Sequence, residues 1–267
     1  MTLSRRAVFV LSVLAAVVFV LLYGPLFVPI ASSLFAVSHG AVHWDQPSLS
    51  SYAQLMHNEG ILTALANTMI VGGSAVALSL IIGTLLALHY CSGRSLAREI
   101  MQFVVFLPFL MPPMITGLSL LVFFREIDFD RSLVTVVIGH TVFVMTLAYR
   151  ILVLRLQSIG PAMIEASYDL GASSWQTFRY ILLPNLRSSL IGAGVLCFAL
   201  SFDETIITIL LTGTDNTLPI RLWAMMRLGF TPDINALVAL VLGLTTLLCI
   251  VATWQLLPGQ AGAGEEQ

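Results

Sequence analysis

Long apolar runs alternate with short polar segments along this chain. A helix needs about 20 consecutive apolar residues to cross the hydrocarbon core of a bilayer. Runs of that kind lie near Ala7–Ala31, Thr63–Tyr90, Ile100–Phe124, Leu133–Val153, Ser188–Thr212 and Asn235–Leu257. The pattern predicts an all-α membrane protein with six transmembrane helices. It divides the chain into a first span with its external loop (1–62), a core of five spans (63–257) and a cytoplasmic tail (258–267). The first run extends well past the about 7–15 apolar residues of a signal peptide, so it reads as a retained span. No internal repeat marks two inverted halves, which counts against one common design of secondary transporter.

Composition strengthens this picture. Of 267 residues, 58% are hydrophobic and 10% charged, against roughly 25% charged in soluble domains. The apolar surface is expected to face membrane lipid. A net charge of -2 without a basic tract gives no reason to expect nucleic acid. All 12 basic residues are arginine. With the N-terminus inside, Arg5, Arg6, Arg94, Arg98, Arg150, Arg155, Arg179 and Arg187 fall on the cytoplasmic side. Arg125, Arg131, Arg221 and Arg227 fall outside. This bias obeys the positive-inside rule and predicts cytoplasmic termini. Cys91, Cys197 and Cys249 form no CxxC pair and read as packing residues. His39, His43 and His57 lack metal-ligand spacing, so no metal site is expected. His140 reads as a hydrogen-bonded packing residue. In the third run, Pro108, Pro112 and Pro113 remove backbone donors and predict a kinked helix. The segment 219–230 is expected to form a short outer helix carrying Trp223, Met226 and Phe230.

Residues 154–187 form a polar loop between the fourth and fifth spans. Gly160-Pro161 predicts a turn, with Pro161 at the first position of a helix. Gly171 suits the left-handed residue that ends it. Ser173 and Gln176 have the spacing of a capping box and start a second helix. That helix carries Trp175, Phe178 and Ile181 on one side and is expected to end at Pro184. The result is a helix-turn-helix bracket on the cytoplasmic side.

Glu165-Ala166-Ser167, Gly171, Ile181, Leu183 and Pro184 keep the spacing E-A-A-x3-G-x9-I-x-L-P, with Ser167 in place of the second alanine. On these residues the chain resembles the type I permeases of ATP-binding-cassette importers. The resemblance implies their six-helix fold, with N- and C-termini cytoplasmic, in a bacterial inner membrane. It implies that Glu165, Ala166, Ser167, Asp169, Gly171 and Ala172 couple this permease to an ATPase. The implied partners are an ABC ATPase dimer, a second homologous permease subunit and a periplasmic solute-binding protein. No Walker-type glycine loop occurs in the chain. It is therefore expected to be no enzyme and to hold no cofactor, ATP and Mg being bound by the ATPase subunits.

Asp203 and Glu204 interrupt the fifth run. A helix from Ser188 to Phe202 covers about 22 Å, short of a core of about 30 Å. The apolar residues Ile206–Leu211 would then complete the span and leave both carboxylates in the outer half of the membrane. There each would cost on the order of 2.5–3.5 kcal/mol near the centre, and less toward the interface. Adjacent helical residues point about 100° apart, so the two acids are expected to differ in role. One would face the pathway, beside Phe202, as counter-ion to a cationic solute. The other would meet an arginine or cap broken backbone. An internal ion pair with Arg221 or Arg227, or a helix-breaking structural acid, is the competing reading. The acids Asp45, Glu59, Glu126, Asp128, Asp130, Asp203, Glu204, Asp215 and Asp233 outnumber the arginines on the predicted outer side. Such a surface attracts cations by long-range steering.

Ser201-Phe202-Asp203-Glu204, Thr217-Leu218-Pro219-Ile220 and Pro232-Asp233-Ile234-Asn235-Ala236-Leu237 resemble the spermidine/putrescine permeases of the PotC type. So do Asn67-Thr68, Gly117-Leu118-Ser119-Leu120 and Gly139-His140-Thr141. This resemblance implies a polyamine as the small-molecule solute. Related permeases that move opines, aminoalkylphosphonates or thiamine define the alternative cargoes. A secondary transporter and a membrane assembly or sensor component are the alternative classes.

Overall fold

The computed structural model describes residues 4–38, 41–93, 95–228 and 232–256. His39, Arg94, Phe230, Leu257, the tail at 258–267 and the side chains of Arg6 and Cys249 lie outside the described residues. The elements in chain order are α1 (Arg5–Ser32), β1 (Phe35–Ser38), β2 (Ala41–Pro47), α2 (Ser50–His57), α3 (Glu59–Cys91), α4 (Leu96–Leu110), α5 (Pro113–Glu126) and α6 (Leu133–Ile159). They continue as α7 (Pro161–Asp169), α8 (Ser174–Thr177), a π-helical turn (Phe178–Leu182), α9 (Leu183–Asp203), α10 (Ile206–Leu211), α11 (Leu218–Leu228) and α12 (Pro232–Leu256).

The chain forms two compact units. The smaller contains Met1–Leu62 and Ala224–Thr246. Its α1 is apolar on all sides, and 0% of its most apolar window is buried. A helix of that kind needs an apolar solvent around it. The antiparallel hairpin pairs Val37 with Val42. Ser33 Oγ lies 2.9 Å from Tyr52 OH, joining the end of α1 to α2. Asn58 Nδ2 donates to Asp233 Oδ2 over 2.8 Å.

The larger unit contains Thr63–Trp223 and Leu247–Gln267, and α6 is its axis. Val136, Val144, Ala148, Tyr149 and Leu152 of α6 are fully buried. Apolar burial gives helices no preference for one another over lipid, so close packing and interhelical hydrogen bonds decide their arrangement. Here Ser79 Oγ of α3 donates to Thr141 O (3.2 Å), and Thr146 Oγ1 donates to Val105 O of α4 (2.6 Å). Cys197 Sγ of α9 lies 3.5 Å from Val144 O, a packing position as expected. Gly83 lets α3 approach so closely that an added Cβ would lie 3.1 Å from Tyr149 N.

Among the described residues, four helices are long and apolar enough to span a membrane: Ala7–Ser32, Glu59–Cys91, Leu133–Ile159 and Ser174–Asp203. A fifth candidate is a bent pair, Leu96–Leu110 and Pro113–Glu126, at 107°. Where the sequence predicts one kinked helix, the chain breaks outright. Met111 and Pro112 are extended, with ψ of 142° and 139°. Two successive prolines supply no N–H, and a residue before proline avoids the α region. The sixth predicted run falls on α12, whose Asp233–Leu247 part is a shorter apolar stretch.

The fifth predicted span is corrected at both ends. It begins at Ser174 rather than Ser188, because Pro184 does not stop the helix. The π turn ahead of Pro184 widens the coil, and Leu183 N–H bonds Phe178 O. The resulting 30-residue helix is roughly 45 Å long and joins the second limb of the bracket to the apolar stretch that ends at Asp203. Ile206–Leu211, expected to continue the same helix, stands apart as α10.

Candidate functional site

Two places carry the predicted site residues: the bracket follows the last residue of α6, Ile159, and the break after α9 lies beside His140, roughly 30 Å of helix away. The first is the bracket. Gly160 turns the chain out of α6 at φ 74°, and Pro161 opens α7. Gly171 ends α7 at φ 80°. Its N–H bonds Tyr168 O (2.8 Å), and Ala172 N–H bonds Ser167 O (3.0 Å). These two bonds make a Schellman cap, which requires the left-handed residue at Gly171. The predicted capping box follows: Ser173 Oγ accepts from Gln176 N–H (3.3 Å), and Gln176 Oε1 accepts from Ser173 N–H (2.7 Å). Arg155 Nε donates to Asn185 O (3.0 Å) and fastens the second limb to α6.

The bracket's outer face is open. Glu165, Ala166, Asp169 and Gly171 are exposed and Ala172 is half-buried. Leu170 is 89% exposed and Trp175 68%. Sequence reasoning missed Leu170, although a leucine at a polar turn is the signal of a covered contact. Ser167 points the other way. It is buried, donates to Ile164 O (2.7 Å) and lies 2.9 Å from the buried hydroxyl of Thr177. No heavy atom lies within 4 Å of a Cβ added at Gly171, so its glycine is required by φ rather than by space in this chain. Beside the bracket a cavity of about 870 Å³ is lined by Tyr90, Arg98, Glu99, Glu165, Tyr168 and Phe178, among others.

The second place is the break after α9. Glu204 leaves the helix at φ −73°, ψ 106°. Its carboxylate Oε1 accepts the N–H groups of Ile206 (2.9 Å) and Ile207 (3.0 Å), so Glu204 caps broken backbone. Asp203 is exposed, and its carboxylate accepts no hydrogen bond among the described residues. Phe202 is half-buried, 5.9 Å ring to ring from Phe198.

The quoted motif residues seat α10. A Cβ at Gly117 would lie 2.8 Å from Leu210 Cδ1, and one at Gly139 2.5 Å from Leu211 Cδ1. Thr135 Oγ1 lies 2.8 Å from Leu211 O and 2.7 Å from Ser132 O, which share its one hydrogen. His140 lies between Ser201 and Thr208, 2.8 Å from each hydroxyl, a hydrogen-bonded packing residue as expected. Asn67 Nδ2 donates to Asn216 O (3.0 Å), and Thr68 Oγ1 accepts Leu218 N–H (2.7 Å).

The chain thus combines helices long enough to span a membrane, one broken at proline, with a capped and exposed bracket. The chain belongs to the family of binding-protein-dependent transport system inner membrane components, matched over residues 79–256. It is thus a multi-pass protein of the bacterial inner membrane. Its relatives include the Putrescine transport system permease protein PotI of Escherichia coli (strain K12), 29% identical over 247 residues, covering 90% of this chain and 87% of PotI. The Spermidine/putrescine transport system permease protein PotC of the same strain is 26% identical over 236 residues, covering 88% and 89%. Among solved structures, a bacterial ABC transporter that imports the acidic polysaccharide alginate aligns with TM-score 0.70 at 16% identity, over 95% of this chain and 97% of that one. The inward-facing MetNI methionine ABC transporter aligns with TM-score 0.60 at 20% identity, over 78% and 97%. The fold is that of an ABC importer permease.

Proposed function

We propose that this chain is one of two permease subunits of an ATP-driven importer whose solute is a small cation of the polyamine class. The observation that carries the cargo is the exposed carboxylate of Asp203 at the helix break, without a hydrogen-bond partner among the described residues, in a chain related to permeases named for putrescine and spermidine. In this reading α12 is the sixth span, and both termini lie in the cytoplasm with the bracket. The arginine distribution supports that orientation.

The bracket docks on an ATPase subunit through Glu165, Ala166, Asp169, Leu170, Gly171 and Ala172, while Ser167 holds its shape from within. A preformed two-helix element transmits rigid-body motion where a floppy loop would not. ATP and Mg belong to the ATPase dimer. A periplasmic binding protein delivers the solute to the break after α9, where Asp203 offers a negative charge to a passing ammonium group.

The test is reconstitution of the chain with a second permease, the ATPase and the binding protein in proteoliposomes. Putrescine uptake is expected to require enclosed ATP, and the loaded binding protein is expected to stimulate ATPase activity. Uptake driven by an ion gradient without the ATPase would establish a secondary transporter. Stimulation by an opine, an aminoalkylphosphonate or thiamine, and not by polyamines, would keep the coupling and overturn the cargo.

A further inference from the structure

The break after α9 should not hold itself. Helix α10 has 6 residues, far below the about 12–15 at which an isolated helix is even marginal in water. The Glu204 cap acts within a few residues and fixes only the first turn of α10. Nothing local sets the direction of α10 relative to α9, and hence the place of Asp203 between them.

Gly117, Gly139 and Thr135 seat α10 on α5 and α6, and His140 adds the restraint that ties α10 to α9. It is 2% exposed and stands on α6 opposite the break. Its Nδ1 lies 2.8 Å from Ser201 Oγ on α9, and its Nε2 lies 2.8 Å from Thr208 Oγ1 on α10. One imidazole thus bridges both sides of the interruption. Donor arithmetic assigns the ring. Thr208 Oγ1 donates its only hydrogen to Glu204 O (2.7 Å), so toward His140 it can only accept. Nε2 therefore carries the ring hydrogen and donates to Thr208. Nδ1 is then the acceptor, and Ser201 Oγ donates to it. Every member of the chain from Ser201 through His140 and Thr208 to Glu204 O has a partner. Such a satisfied buried network rigidifies what it joins.

We propose that His140 is a positioning residue for solute passage: by bridging Ser201 and Thr208 it sets the angle of the α9–α10 break and holds Asp203 in place. The functional consequence rests on the pathway reading of Asp203; the geometric claim does not.

The test uses the assembled transporter with Cys91, Cys197 and Cys249 replaced by alanine and Asp203→Cys as a probe. The rate of modification by a charged, membrane-impermeant methanethiosulfonate is measured with and without His140→Ala. The rate is expected to change at least about tenfold, and the Ser201→Ala/Thr208→Val pair is expected to reproduce the change. His140→Gln, whose amide offers a donor nitrogen and an acceptor oxygen on a single head, is expected to restore the rate to within about twofold. An unchanged rate in His140→Ala overturns the proposal. If His140→Ala does not assemble, Thr208→Val alone carries the test, and an unchanged rate there overturns it equally. With Asp203 native, His140→Ala is expected to lower putrescine uptake about tenfold, and to add less than about twofold in an Asp203→Asn background. Unchanged uptake in Asp203→Asn would remove the pathway reading and leave the modification rates to decide the positioning of Asp203.

Discussion

The bracket and the break are both interruptions of helix, made by opposite means. The bracket is built from neighbours. Gly160, Pro161, Gly171, Ser173 and Gln176 act on backbone within a few residues of themselves. The break is built from distance. His140 reaches partners 61 and 68 positions away, and Thr135 reaches Leu211 across 76. On the proposed function the difference follows from what each must meet. A surface gripped by another protein gains affinity when it is preformed, because less order is lost on binding. A carboxylate serving a pathway must instead be placed relative to other spans, and only those spans can place it.

Gly171→Val separates the two places most sharply. Valine at φ 80° is strained by roughly 1–2 kcal/mol, and the Schellman cap loses its geometry. ATP-driven uptake is expected to fall on the order of a hundredfold, as when a positioned group shifts by about 1 Å. ATPase activity should persist but cease to respond to the loaded binding protein. Full uptake by this variant would sink the docking role.

The adjacent acids come next. Asp203→Asn removes an exposed charge, and uptake is expected to drop about tenfold, the worth of one charged hydrogen bond at the low end. Glu204→Gln keeps an oxygen to accept the N–H groups of Ile206 and Ile207, so uptake is expected to stay within about threefold. Glu204→Ala loses the cap and is expected to cost about 0.5–2 kcal/mol of stability, read as a lower apparent Tm. Equal loss in the Asn and Gln variants would show that both charges act and would dissolve the division of labour between them.

The same contrast decides what is legible in the amino-acid sequence. Caps are local, so the residue types and spacing from Gly160 to Gln176 are enough to predict the bracket. The apolar runs likewise predict most of the spanning helices. Three things stay hidden. Pro184 reads as a stop, because a π turn that absorbs a missing donor leaves no mark in composition. Pro112-Pro113 signals a kink but not a 107° bend, since the size of a bend depends on what packs around it. At 203–204 the sequence allows a capping role for one acid without choosing it. The choice depends on where α10 begins, and that is set by Gly117, Gly139, Thr135 and His140 from other helices. Ser201 and Thr208, hydroxyls in an apolar run, are the faint signal of that network.

A change confined to the interior of the bracket tests whether it is as local as its caps suggest. Ser167 Oγ donates its hydrogen to Ile164 O, so the 2.9 Å contact is a donation from Thr177 to Ser167. Ser167→Ala would leave the Thr177 hydroxyl, 2% exposed, without that partner. The expected cost is about 1–3 kcal/mol, the penalty of an unsatisfied buried polar group. Thr177→Val leaves Ser167 bonded to Ile164 and should cost less. The double variant replaces both ends of the contact by apolar groups and should return to within about 0.5 kcal/mol of the starting protein. Apparent Tm of the detergent-solubilised complex measures all three. If the two single losses simply add, the hydroxyls are not coupled, and the shape of the bracket rests on its backbone caps alone. If the double variant recovers, the alanine of the family pattern at 167 requires an apolar residue at 177, and the bracket owes part of its rigidity to a side-chain contact, as the break does.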